Sequence, residues 1–262
     1  MILAESTWEE VSKSLGPKVV AVLPLGSNEQ HGLHLPVNND IFCAYELAKR
    51  AALAAGDSVT ALVLPPLPYG VSWHHMGFPG TITLSNETFS RVVKDICRSL
   101  TDHGIRKIMI VNGHGGNLSA IGTAMQELHQ ETGAKIAVVN WWELGGDLIK
   151  EDFGFIFHAC ETETSVAAAL GQRVLMSRAR GTKPVGYSEF IKFNLVAGGP
   201  KIQAAFPSFK LLSKTGAIVD LSRHLRCPGS PSRRGPIAAR TALARRSHLQ
   251  SPSRVRDLDT HQ

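Results

Sequence analysis

Four short apolar runs, each followed by a glycine- or proline-punctuated loop, set what this chain folds into. They are Val19–Leu25, residues 61–66, Lys107–Asn112 and Lys135–Asn140. Each has the length of a buried strand rather than of a helix. Between them lie stretches with apolar residues at helical spacing: residues 41–53, ending near Gly56, a run from Ser85 to about His103, and a run to about Thr132. Ser85 caps the second, and Phe89, Val92, Val93, Ile96 and Leu100 form its inner stripe. Strands alternating with helices at this spacing predict an α/β fold, a mainly parallel sheet covered on both faces. A short helix over residues 5–14, capped by Ser6 or Thr7 and stopped by Gly16-Pro17, precedes them, and residues 161–171 read as helical. Residues 180–222 show little periodicity.

In such folds the sites lie where chain leaves the strands. The first strand runs into Gly26-Ser27-Asn28-Glu29-Gln30-His31-Gly32-Leu33-His34-Leu35-Pro36 and on to Asp40. In extended chain Glu29 and His31, two apart, project to one side. Asp40 adds a carboxylate on the same rim. Two carboxylates and an imidazole form a donor set suited to Zn, Mn or Fe. Asp40 at a helix start also reads as an ordinary helix-capping carboxylate, and His34 and His74 read as structural. The third strand ends in Asn112-Gly113-His114-Gly115-Gly116-Asn117. Its glycines, Gly115 among them, let backbone approach a ligand closely. A phosphate cradle would need G-x-x-x-x-G-K-S/T or G-x-G-x-x-G, and neither spacing is met. Beside the first loop, His114 reads as a further metal donor. A third stretch, Phe157-His158-Ala159-Cys160-Glu161-Thr162-Glu163-Thr164-Ser165, sets two carboxylates at a helix start, where the dipole favours them in any case.

Composition narrows the partners. The net charge of +6 over 262 residues suggests nucleic acid until it is located. Residues 223–262 carry nine Arg, no Lys and two Asp, so the remaining chain is nearly neutral and no nucleic-acid partner is expected. That Arg-, Ser- and Pro-rich tail lacks a core-forming pattern and reads as disordered, set apart from a domain over 1–222. So abrupt a change is also what a shifted reading frame would produce. No apolar run reaches the roughly 18 to 20 residues that span a bilayer. The first residues lack a signal-peptide pattern, and four scattered cysteines suggest neither disulfides nor a zinc ribbon. A cytoplasmic protein without a membrane partner is expected.

Taken in order, E-Q-H-G-x-H-L-P…D, F-P-G-T-I, N-G-H-G-G-N and H-A-x-E-x-E-T-S resemble the creatininase (creatinine amidohydrolase) family over roughly residues 17–170. The resemblance implies a three-layer α/β/α fold, two divalent metal ions per chain (Zn, Mn or Fe), often a homohexamer, and a small-molecule amide substrate. It implies that Glu29, Asp40 and His114 hold one metal, and that His31, Asp40 and an acidic residue hold the other. His158 matches the family's catalytic His. Creatininase itself has N-G-H-Y-E-N, whose Glu supplies the last ligand; Gly116 stands there in this chain. Glu161 is then the expected substitute ligand, and Glu163 a hydrogen-bonding partner in the catalytic group. Creatininase also has a Trp four residues before the site His, where this chain has Gly154. Trp142 and His75 are expected to line the substrate pocket. The implied activity is hydrolysis of a non-peptide or cyclic amide C–N bond by metal-activated water. Related members act on formylaminopyrimidines, on a peptide in mycofactocin maturation, or on a keto-inositol ring. A metal-bound but inert subunit is the non-enzymatic alternative.

Overall fold

The structure is a computed structural model that describes residues 1–154, 156–181 and 208–218. The tail over 223–262 and most of the stretch without periodicity therefore lie outside the described residues.

The sheet is parallel. Strands β1 (Val19–Leu25), β2 (Thr60–Val63), β3 (Lys107–Asn112) and β4 (Lys135–Asn140) stand in the order β2-β1-β3-β4. β1 pairs with β2 from Val19 opposite Thr60 and with β3 from Ala21 opposite Ile108. β2 stops at Val63 rather than running on to Pro66, because Pro65 and Pro66 have no N–H for a ladder.

Alternation along β1 assigns the two faces. Ala21, Leu23 and Leu25 join Ile108 and Ile110 against Phe89, Val93 and Cys97 of α3 (Asn86–Asp102) and Ile121, Ala124 and Leu128 of α4 (Leu118–Thr132). Val22, with Val63 and Val111, faces Ala44 and Ala48 of α2 (Asn39–Ala55) on the other side. The result is the three-layer α/β/α arrangement. Ser85 caps α3 by accepting from the Thr88 N–H at 3.1 Å. α1 (Trp8–Ser14) opens with a capping box, in which Thr7 N–H donates to the Glu10 carboxylate at 2.7 Å.

Short helices α5 (Trp141–Leu144) and α6 (Gly146–Asp152) follow β4, where the sequence pattern indicates none. α7 (Glu161–Leu170) then packs Val166, Ala167 and Leu170 onto Leu35 and Cys43. α8 (Phe209–Leu212) belongs to the described part of the late chain. Among the described residues no helix is long and apolar enough to cross a membrane.

Candidate metal centre

The site stands at the carboxyl ends of β1 and β3, and glycine decides how closely its walls approach. A Cβ on Gly26 would lie 2.5 Å from the Ile41 amide nitrogen, and one on Gly113 only 2.4 Å from the Asp40 carbonyl. Glycine at both strand ends thus lets the start of α2 come down between them. Asp40, in the first turn of α2, is thereby set between the loops that carry His31 and His114. Asn117 ties the loops together, donating to Gly26 O at 3.0 Å and accepting from Val71 N–H at 3.0 Å.

The two oxygens of Asp40 each meet one imidazole. His31 Nε2 is 2.9 Å from Oδ1, and His114 Nδ1 is 3.0 Å from Oδ2. The remote nitrogen of each ring faces a backbone carbonyl: His31 Nδ1 lies 3.3 Å from Glu29 O, and His114 Nε2 lies 3.1 Å from Val71 O. A carbonyl can only accept, so the remote nitrogen carries a proton, and the near nitrogen is the one left to offer a lone pair when a cation displaces its proton. That is how proteins orient metal-binding histidines. The His31–Asp40 contact has the distance of a hydrogen bond, yet His31 Nε2, Asp40 Oδ2 and Glu29 Oε1 make no hydrogen bond of acceptable geometry. Lone pairs aimed at a shared point lie close without bonding to each other. Orphaned buried polar atoms are costly. A cation among them satisfies all three, so the donor set fits a metal.

Among the described residues, three groupings of donors lie within 4.8 Å: His31, Asp40 and Glu163; Glu29, His31 and His158; Glu29, His74 and His114. Glu163 thus stands where Glu161 was expected, and Glu161 is in none of the groupings. The reason is helical geometry. Two residues apart on a helix is about 200° around it, so the two carboxylates face nearly opposite ways. Val166, Ala167 and Leu170, the buried stripe of α7, lie three, four and seven positions after Glu163. That periodicity was present in the sequence and points Glu163 inward. Glu163 also accepts a short hydrogen bond from Ala159 N–H, and Ala159 holds a left-handed φ of 49°.

Close packing explains why no carboxylate-bearing side chain fits at position 116. A Cβ there would lie 2.2 Å from Val71 O and 2.5 Å from His114 Nε2. At Gly115 an added Cβ would meet nothing within 4 Å.

His158 Nδ1 is 3.7 Å from Glu29 Oε1, and His75 Nε2 is 3.3 Å from the same oxygen. Ser72 Oγ donates to Glu29 Oε2 at 2.6 Å and makes a short contact with Ser27 Oγ. Sequence patterns missed both serines, since hydroxyls in loops carry no periodic signal. They missed Phe209 as well, whose ring lies 4.4 Å from that of His75 and 5.0 Å from that of His158, centroid to centroid. His74 sits closer to the site than its structural reading implied, its ring stacked 5.7 Å from that of His114. His34 bonds through Nε2 to Thr164 Oγ1 at 2.9 Å. Trp142 is buried with Ile149, Ile156, Ala159, Cys160 and Ala217.

Charge is divided unevenly. Burial pulls His31 down, but Asp40, Glu163 and Glu29 carry it up to about 10. Burial opposes His114 in the same way, and Glu29 and Asp40 raise it to about 9. Burial pushes Glu163 up to about 7 against the pull of His31, and it raises Glu29 too. Burial would also raise Asp40, but His31 and His114 hold it well below the carboxylate range. Burial, with neighbouring imidazoles, keeps His75 and His158 well below the ordinary histidine value.

A parallel sheet that gathers carboxylates and imidazoles at its carboxyl edge defines an α/β/α protein with a donor set that fits metal. The chain belongs to the creatininase family, whose model, described as creatinine amidohydrolase, matches residues 4–224. It is 33% identical over 190 residues to creatinine amidohydrolase of Pseudomonas putida, covering 65% of this chain and 72% of that protein. It is 30% identical over 192 residues to 3-dehydro-scyllo-inosose hydrolase of Thermotoga maritima, covering 69% of this chain and only 60% of the relative. A solved manganese creatininase superposes with a TM-score of 0.62 at 29% identity, covering 82% of this chain and 91% of the other. Other matching chains are a mycofactocin precursor peptide peptidase, a formylamino-pyrimidine deformylase and a Zn-Zn type creatininase.

Proposed function

We propose that this chain is a metal-dependent hydrolase of a non-peptide or cyclic amide C–N bond. Two divalent cations per chain would be held by Glu29, His31, Asp40, His114 and Glu163, with Asp40 shared between them. The observation that carries the reading is the pairing at Asp40: each oxygen meets an imidazole nitrogen whose ring partner is tied to a backbone carbonyl. The solved manganese and Zn-Zn creatininases favour Mn or Zn over Fe.

When bound, a cation pair of this kind makes water acidic and polarises a carbonyl. The chain's own residues do the rest. His158 accepts a proton at Nδ1, beside Glu29, and passes it to the leaving nitrogen. Ser72 fixes the Glu29 carboxylate by donating to one of its oxygens. His75 faces the other oxygen, and the open space at Gly115 leaves room for backbone contact with substrate. Trp142 supports the His158 segment from behind, so its part in binding is indirect. Glu161 has no ligand role in this reading. The family resemblance adds a homohexamer, which sedimentation of the purified chain tests.

Relatives named as a deformylase, a peptidase and an inosose hydrolase set the competing substrates: a formamide, a peptide bond or a keto-inositol ring. Metal analysis together with turnover on creatinine, an N-formyl aminopyrimidine, a peptide and an inosose separates them. Two cations per chain and chelator-sensitive cleavage of an amide are expected. Metal uptake without turnover on any of the four would leave an inert metal-bound subunit. Asp40→Ala should lose both cations, and a full complement in that variant would refute the sharing.

A further inference from the structure

We propose that Gln30 is a positioning residue that sets His75 and His158 in opposite tautomers, one presenting an N–H and the other a bare nitrogen to the Glu29 carboxylate. The inference rests on the hydrolase reading only for its catalytic consequence; the tautomers follow from hydrogen-bond accounting.

Gln30 is buried, and its orientation is fixed by chemistry. Oε1 accepts from the Gly32 N–H at 2.9 Å, and Nε2 donates to Gly216 O at 3.0 Å. Reversing the amide would set two acceptors together and two donors together. Nε2 also lies 2.9 Å from His75 Nδ1 and 2.9 Å from His158 Nε2. An amide nitrogen has two protons, so three neighbours cannot all be served. The backbone resolves the competition. His158 Nε2 lies 2.8 Å from the Gln30 carbonyl, which can only accept. His158 therefore carries its proton on Nε2 and gives it to that carbonyl. The two amide protons go to Gly216 O and His75 Nδ1, so Gln30 Nε2 and His158 Nε2 meet as two donors; a bare His158 Nε2 would instead face the Gln30 carbonyl as two acceptors and also leave a further acceptor unserved. With the alternative, a proton given to His158 Nε2, either Gly216 O or His75 Nδ1 is left without a donor.

The consequence lies on the far side of each ring. A neutral His75 accepting at Nδ1 carries its proton on Nε2, which faces Glu29 Oε1 at 3.3 Å. A neutral His158 donating from Nε2 leaves Nδ1 bare, 3.7 Å from the same oxygen. One ring thus turns an N–H towards the carboxylate, close to Oε1 but without a well-aligned hydrogen bond, while the other turns a lone pair towards it. Gly216 completes the device. Its φ is +82°, and a Cβ there would stand 1.9 Å from Gln30 Oε1. Only glycine brings that carbonyl within reach of the amide.

The test reads ring-nitrogen tautomers by long-range ¹H–¹⁵N NMR on the full-length, zinc-loaded protein. In the parent protein His158 should show a proton on Nε2 and His75 a bare Nδ1. Gln30→Glu replaces the amide donor by an acceptor, so His75 should move its proton to Nδ1 while His158 stays as it was. Turnover should then fall by about tenfold or more, the scale on which partners of site histidines act. Gln30→Met, which removes both donors at similar volume, guards against misfolding by the charged variant; there His75 should populate both tautomers. The same tautomer in both rings of the parent, or a His75 unmoved in both variants, overturns the inference. Correct tautomers in a protein that takes up no metal would instead overturn the hydrolase reading and, with it, the catalytic consequence.

Discussion

Glu163→Gln separates the carboxylate proposed to hold metal from its neighbour two residues earlier. Glutamine keeps the shape and one oxygen to accept the Ala159 N–H, but it removes the charge facing His31 and Asp40. Loss of groups that merely support a ligand costs about 10- to 100-fold in metal affinity. Loss of a donor itself should therefore cost about 100-fold or more, about 2.8 kcal/mol at 1.4 kcal/mol per decade. Binding to the folded state alone stabilises by RT ln(1 + [L]/Kd). With free Zn²⁺ or Mn²⁺ at about 100 times the parent Kd, the parent gains about 2.7 kcal/mol and the variant about 0.4. For a domain of this size that is a rise in Tm of about 5–11 °C against about 1 °C. Without metal the variant should melt no lower than the parent at pH 8, since burial makes the ionised Glu163 unfavourable. Differential scanning fluorimetry with and without metal, beside Glu161→Gln as control, measures all four values. Glu161→Gln should keep the full metal-induced rise. The reasoning fails if Glu161→Gln abolishes that rise while Glu163→Gln preserves it.

The metal-free protein should be most stable near pH 6.5. His34 and His74 are held down at about 4 and about 3, and His75 and His158 well below 6.5, so the unfolded chain binds protons that the fold refuses. Their contribution is present above pH 6.5 and is lost as pH falls towards 4. The raised carboxylates Glu29 and Glu163 work against this between pH 4.5 and 7, but they are two groups against four. On the alkaline side His31 and His114, raised to about 10 and about 9, give stability that is complete below 6.5 and lost as pH climbs through those values. Chelator-treated protein melted from pH 4 to 10 checks this, and a flat profile refutes it. Gly116→Ala should destabilise the fold by about 1–3 kcal/mol, the usual cost of overpacking, and should weaken metal binding by moving His114. Urea unfolding measures the first effect and metal titration the second; an unchanged midpoint would show that the loop yields freely.

Much of the frame was legible before any coordinates. β1, β3 and β4 begin and end where the apolar runs do, because run length and flanking turn residues act locally. Ser85 starts α3 for the same reason, its hydroxyl reaching an amide only three residues on. The errors have equally local causes. Pro65 and Pro66 shorten β2 by withholding donors. Trp141 and Trp142 open a helix of only four residues, too short for periodicity to register. Glu161 holds the motif position, whereas Glu163 lies on the helix face that carries Val166, Ala167 and Leu170 and meets His31 and Asp40.

The amino-acid order alone determined the sequence of strands and helices and the turns that carry Glu29, His31, Asp40 and His114. Only the packed molecule decided that α7 lies against α2, which brings the inward face of Glu163 to His31 and Asp40. It alone showed that Gly116 has no space for a side chain, and that Ser72, Gln30 and Gly216 complete the surroundings of Glu29 and the two histidines beside it. Patterning and capping act between residues a few positions apart. The direction of a donor atom depends on how whole elements dock, and those contacts join residues as distant as Gln30 and Gly216.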